Sequence, residues 1–174
     1  MSAPLTRLLL AALSVALTGC DPKFDETSTS PTEPPPGSTT NLGHVGANIS
    51  GEQFSGTVTA AATIIENRLN FSAYDGFSRQ LTIAVGAPGP GTFDAGGPYN
   101  PIVSLIETAG DDVRRWVLPS ATGFGSLTLT FLSKDAAIGY FSFSGLVPDS
   151  ATIAAGTTAR RNVTAGTFTV NLSR

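Results

Sequence analysis

The chain has 174 residues, the length of one ordinary domain. Only 13% are charged and the net charge is −3, so no basic excess exists to neutralise phosphates, and nucleic acid is not expected as a partner. One Cys leaves no internal disulfide, and Gly 19 with Pro 12 favours short strands and tight turns over a helical bundle.

Arg7 opens a short positive region, and Leu8 to Leu17 reads LLLAALSVAL. An apolar run of about ten residues is half the roughly 20 that a membrane-spanning helix needs, and it fits the centre of a secretory signal. It ends in Leu17, Thr18, Gly19 and Cys20, which resembles the lipobox of bacterial lipoproteins. That resemblance implies a lipoprotein signal peptide over 1–19, cleavage between Gly19 and Cys20, and diacylglycerol on the Cys20 thiol. Acylation of the new amino terminus would follow. One acyl chain holds a membrane only marginally, whereas two or more hold it stably. The expected partner is therefore the membrane, through lipid on Cys20, and the expected location is the bacterial cell envelope, periplasmic or surface-exposed. Asp21 resembles an inner-membrane retention signal of some Gram-negative bacteria. An ordinary signal peptide with a chance cysteine is the competing reading.

Residues 20–43 hold the lipidated Cys and a Pro/Ser/Thr-rich stretch with almost no apolar side chains. Such a stretch cannot bury enough surface to offset its ordering entropy and is expected to be a disordered spacer. Pro34, Pro35 and Pro36 favour a local polyproline conformation. A flexible chain of this length has a root-mean-square span of roughly 25–30 Å, enough to lift a folded domain off the headgroups.

Residues 44–174 read as an all-β domain. Leu81, Ile83 and Val85 form a period-2 apolar face, as do Leu127, Leu129 and Phe131, then Phe141 and Phe143, then Phe168, Val170 and Leu172. Leu69, Phe71 and Ala73 form a weaker one, and residues 54–64, 102–108 and 113–118 are further strands with less regular faces. Turns are expected at Glu66-Asn67, Asp75-Gly76, Gly110-Asp111 and Lys134-Asp135. Residues 86–101 hold too much Gly and Pro for regular structure and are expected as a long loop, with 145–162 a second loop or irregular strand. About eight or nine strands, mostly linked as hairpins, give an antiparallel sandwich or flattened barrel. A membrane-spanning barrel is disfavoured by an aromatic content of 8%, too low for two girdles.

Three C-terminal segments carry a family resemblance: GSLTLTF at 125–131, IGYFSFSG at 138–145 and VTAGTFTVNL at 163–172. They are similar to a family of small bacterial lipoproteins of unknown function, in which a G-x-F-x-F strand precedes a closing T-x-G-x-F-x-V strand. The resemblance implies an exported all-β domain behind a lipobox and no activity. Gly139, Phe141, Phe143, Gly166 and Phe168 match the pattern, and their chemistry reads as core and bulge.

Signatures of catalysis are missing from the sequence. His44 is the only histidine and falls at the linker's end, so a His relay would sit on a mobile boundary. A transition-metal site cannot be assembled from one His and a lipidated Cys, and Glu107, Asp111, Asp112 and Asp94 lack calcium-loop spacing. Scattered acids such as Glu52, Glu66 and Glu107 offer no specific pair for glycoside hydrolysis. No nucleophile elbow, phosphate loop or dinucleotide fingerprint is present. The arginine pairs Arg114-Arg115 and Arg160-Arg161 read as a solvated face. Neither a catalytic residue, a metal nor a cofactor is assigned. Trp116, Tyr99, Tyr74 and Phe77 are the candidate ligand contacts, because aromatics near loops stack on sugars or anchor partners. The leading expectation is a non-enzymatic structural or interaction module in the envelope, with an envelope protein or glycan as partner. The alternative is a lipoprotein that binds a carbohydrate or small apolar molecule, and the third is a hydrolase.

Overall fold

A computed structural model describes residues 42–59, 62–86 and 89–173. The expected signal peptide (1–19), the expected cleavage and lipidation site at Gly19 and Cys20, and nearly all of the expected linker therefore lie outside the described residues. The domain is all-β: β1 (Gly43–Ile49), β2 (Glu52–Val58), β3 (Thr63–Ile65), β4 (Arg68–Tyr74), β5 (Arg79–Gly86), β6 (Gly91–Asp94), β7 (Ile102–Ala109), β8 (Asp112–Val117), β9 (Phe124–Leu132), β10 (Ala136–Pro148) and β11 (Arg161–Asn171), with a short helix α1 (Ser150–Ala154) before the last strand.

The strand order is β11-β1-β2-β4-β5-β7-β8-β10, and β10 pairs again with β11. The sheet thus closes on itself as an eight-stranded antiparallel barrel, with β9, β6 and β3 as additions. Two of its seams are narrow. β2 meets β4 only at Thr57↔Tyr74 and Val58↔Ala73, and β8 meets β10 only at Val117↔Val147 and Trp116↔Pro148. Beyond each short contact another strand takes over the same edge: β3 continues along β4, and β9 continues along β10. The barrel is accordingly flattened, two sheets joined at two corners.

The apolar faces seen in the sequence line its interior. Leu81, Ile83 and Val85 are buried together with Leu69, Phe71, Ala73, Leu127, Leu129, Phe168 and Val170 in one core cluster. Two glycines make room for rings. Gly139 lies opposite Phe168 and Gly166 opposite Phe141 across the β10–β11 ladder, and a Cβ on Gly139 would sit 2.7 Å from the Phe168 ring. The Phe71 and Phe168 rings stack at 4.8 Å, and Phe141 lies 6.3 Å from Phe168. One outward cross-strand row is hydroxylic, formed by Thr92, Thr128, Tyr140 and Thr167, while Ile102, Val113, Phe131 and Ile138 are exposed apolar positions elsewhere on the strands.

Tight turns follow their chemistry. Glu66 and Asn67 take positive φ of 51° and 59°, the geometry of a two-residue hairpin turn, and Gly110 takes 63°. Ser50 and Gly51 make a further two-residue turn between β1 and β2, absent from the sequence reading.

Several expectations are corrected. The segment 54–64 is two strands, because the chain leaves β2 at the barrel corner before β3 resumes on β4. The Gly/Pro-rich stretch 86–101 contains β6, held by pairing with β9 and by burial of Phe93. Residues 145–162 divide into the end of β10, helix α1 and the start of β11. Phe131 is 47% exposed rather than inward, because the β9–β10 register shifts between Ile138 and Gly139 and the extra residue reverses the faces. His44 stands within β1, its Nε2 2.9 Å from Ser55 Oγ, rather than ahead of the first strand.

Candidate binding cleft at the barrel mouth

Because the strands alternate in direction, the turns β1–β2, β4–β5 and β7–β8 and the β10–β11 connection gather at one mouth of the barrel. A cleft of about 520 Å³ opens there. Its lining includes Glu52, Asp75, Phe77, Arg79, Glu107 and Arg161.

Asp75 organises one wall. Its Oδ1 accepts the backbone N–H groups of Phe77, Ser78 and Arg79, each at 2.9 Å, and its Oδ2 accepts Arg79 Nε at 2.9 Å. Its side chain is 7% exposed. Burial pushes the carboxyl up, but the Arg79 backbone N–H, the Arg79 guanidinium and the N–H groups of Phe77 and Ser78 outweigh it and hold the pKa at about 2, against an ordinary 3.8. Arg79 donates onward from Nη2 to the Gln53 carbonyl at 2.8 Å and from Nη1 to Glu52 at 3.4 Å, so one side chain ties the β4–β5 turn to β2.

The opposite wall rests on Arg161. Nε and Nη2 donate to the two carboxylate oxygens of Glu107 at 3.2 and 2.9 Å, a forked pair between β11 and β7. Its guanidinium lies 4.6 Å from the centre of the Trp116 ring. The hydrogen bonds to Glu107 raise its pKa against the burial that lowers it, and the charges of Glu107 and Glu52 add to the rise.

The four candidate aromatics separate. Phe77 lines the cleft and is 88% exposed. Tyr74 sits on the same turn, and its hydroxyl donates to the Phe77 carbonyl at 2.7 Å. Trp116 is 0% exposed, with its indole N–H donated to the Ala159 carbonyl at 2.8 Å. Direct ligand contact is thereby withdrawn from Trp116, which instead supports Arg161 from beneath. Tyr99 lies in the β5–β7 connection at the other mouth, edge-on to Phe93 at 5.9 Å.

The arginine pairs are divided as well. Arg115 Nε donates to Ser104 Oγ at 2.9 Å, and its backbone N–H donates to Thr152 of α1 at 2.7 Å, while Arg161 is committed to Glu107. Glu52, Asp75, Arg79 and Arg161 escaped the sequence reading as site residues. The Asp75-Gly76 turn and the Phe77 beside it were the cleft's visible signs. Arg161 and Glu107 are 54 residues apart, a distance that no local pattern spans. Among the described residues no group of three or more His, Cys, Asp or Glu side chains is placed to hold a metal ion.

The fold and cleft define a closed antiparallel β-barrel with an apolar, side-chain-filled interior and a charged cleft at one mouth. Comparison with protein-family models, with characterised proteins and with solved structures finds no match.

Proposed function

We propose that this protein is a lipid-anchored lipoprotein of the bacterial envelope whose barrel serves as a non-enzymatic interaction module. The observation that carries the reading is the polarity of the barrel. The chain enters at Gly43, beside Val170 near the end of β11, at the mouth opposite the cleft. A tether that joins the domain at Gly43 attaches at the mouth away from the cleft, so the attachment point leaves the cleft unobstructed. The packed core supports surface interaction over capture of an apolar guest within the barrel. The resemblance of the C-terminal strands to small lipoproteins is consistent with the same reading, as is the lipobox.

The test is Cys20→Ser in a bacterial host. The variant is expected to lose incorporation of labelled palmitate and to leave the membrane fraction for the soluble one. Retention in washed membranes without label would overturn the anchor. The carbohydrate-binding alternative is favoured by one specific observation, the cleft itself.

A further inference from the structure

We infer that the cleft at the barrel mouth is a binding site for a neutral saccharide unit. The inference deepens the carbohydrate-binding reading of the cleft and rests on it, but not on the lipid anchor.

Charge balance selects the ligand class. Three acids, Glu52, Asp75 and Glu107, line the cleft with two arginines, Arg79 and Arg161. Both arginines already hold carboxylates in ion pairs. An anion entering the cleft meets those carboxylates, and a cation meets the guanidinium groups, so neither gains a clean partner. A sugar hydroxyl gains from both, since it donates to a carboxylate oxygen while accepting from a neighbouring guanidinium N–H. Arg161 and Glu107 side by side offer that arrangement to a pair of adjacent hydroxyls. Arg79 uses three of its N–H groups on Asp75, Glu52 and Gln53, which leaves donors on both terminal nitrogens.

Phe77 supplies the second element. Its ring is 88% exposed, yet its stem is fixed: the backbone N–H donates to Asp75 and the carbonyl accepts the Tyr74 hydroxyl. A solvent-facing ring on a braced turn presents a flat apolar surface at the edge of a polar cleft. The C–H face of a pyranose complements that surface while its hydroxyls reach the charged floor. A volume of about 520 Å³ lies within the range of small-molecule sites. The charged lining argues against the small apolar ligand weighed beside carbohydrate, because such a guest would desolvate ion pairs without replacing their water.

The fold contains its own reporter. Trp116 is the chain's only tryptophan and lies directly beneath Arg161. The full-length protein, held in a detergent without a sugar headgroup, would be titrated with methyl glycosides of the common hexoses and N-acetylhexosamines, and with sodium sulfate as an anion control. Trp116 fluorescence and saturation-transfer NMR on the sugar protons are read together. At least one glycoside is expected to bind saturably at millimolar concentration, with sulfate silent. Phe77→Ala should weaken that binding about tenfold, the scale of one aromatic contact, with an unchanged thermal melt because the ring packs on no core. Absence of binding by every glycoside, saturable binding of sulfate instead, or full affinity in the folded Phe77→Ala variant would each overturn the inference. These outcomes are independent of the Cys20→Ser result, so anchor and cleft fail separately.

Discussion

Asp75 carries more of the mouth than any other single side chain, because one carboxylate satisfies three backbone donors and a guanidinium. Its pKa of about 2 lies below the ordinary 3.8, so the unfolded chain binds the proton first as pH falls. Its contribution of about 2 kcal/mol is complete above pH 4 and is lost as pH drops through 2. Asp75→Asn is expected to cost about 1–2 kcal/mol at neutral pH and to converge with the parent between pH 4 and 2, as measured by urea unfolding across that range. A constant difference at every pH would contradict it. Gly166 is a second decisive residue. Alanine in a strand normally gains about 0.5–1 kcal/mol over glycine, but a Cβ at Gly166 would collide with the Phe141 ring, and overpacking of this kind costs about 1–3 kcal/mol. Gly166→Ala should therefore destabilise by about 1–2 kcal/mol, and Phe141→Leu in the same chain should recover part of the loss by making room. A Gly166→Ala variant at least as stable as the parent would show that the ring yields freely.

The elements behave less uniformly than a barrel of eight strands suggests. β4–β5 and β5–β7 pair along nearly their whole length, whereas β2–β4 and β8–β10 share two residue pairs each. The short seams lie where a strand edge passes from one partner to the next, so the sheet turns its corner with few ladder bonds. Local opening follows the places with fewest such bonds. Thr59 donates across one seam to Ser72 and Asp149 across the other to Arg115. In native-state hydrogen exchange these two amides should exchange well before those of Ile83 and Leu105, which stand in continuous ladders. Equal protection at all four positions would mean that the seams open only with the whole molecule. Bulges set which face a residue shows. Ala165, at φ 49°, and Gly145, at φ 79°, interrupt β11 and β10, and buried positions change parity across each.

For the whole molecule, the order of strands matters more than their composition. Alternating direction sends the chain's entry and its charged cleft to opposite mouths. The period-2 runs were legible in the sequence because half-burial imposes alternation on any strand, and the inward faces of Leu81-Ile83-Val85 and Phe168-Val170 follow from it directly. So did the turns at Glu66-Asn67 and Gly110-Asp111, where local φ chooses the residue. The resemblance to a lipobox likewise rests on four adjacent residues, Leu17 to Cys20, and is tested by Cys20→Ser rather than by the fold. Phe131 was misread because a bulge is decided by the partner strand, which periodicity does not see. β6 was missed because its support comes from β9, more than thirty positions later. Phe77 was legible as an aromatic beside a turn, but the charged lining of the cleft was not, for the same reason: Asp75 meets Arg79 within one turn, whereas Arg79 reaches Glu52 and Arg161 reaches Glu107 only after the barrel closes. The sequence alone determined the all-β class, the period-2 faces and the turn chemistry, all local consequences of side-chain size, polarity and φ preference. Tertiary structure alone decided closure, bulge register and the convergence of opposite charges at one mouth, because those depend on contacts between strands far apart along the chain.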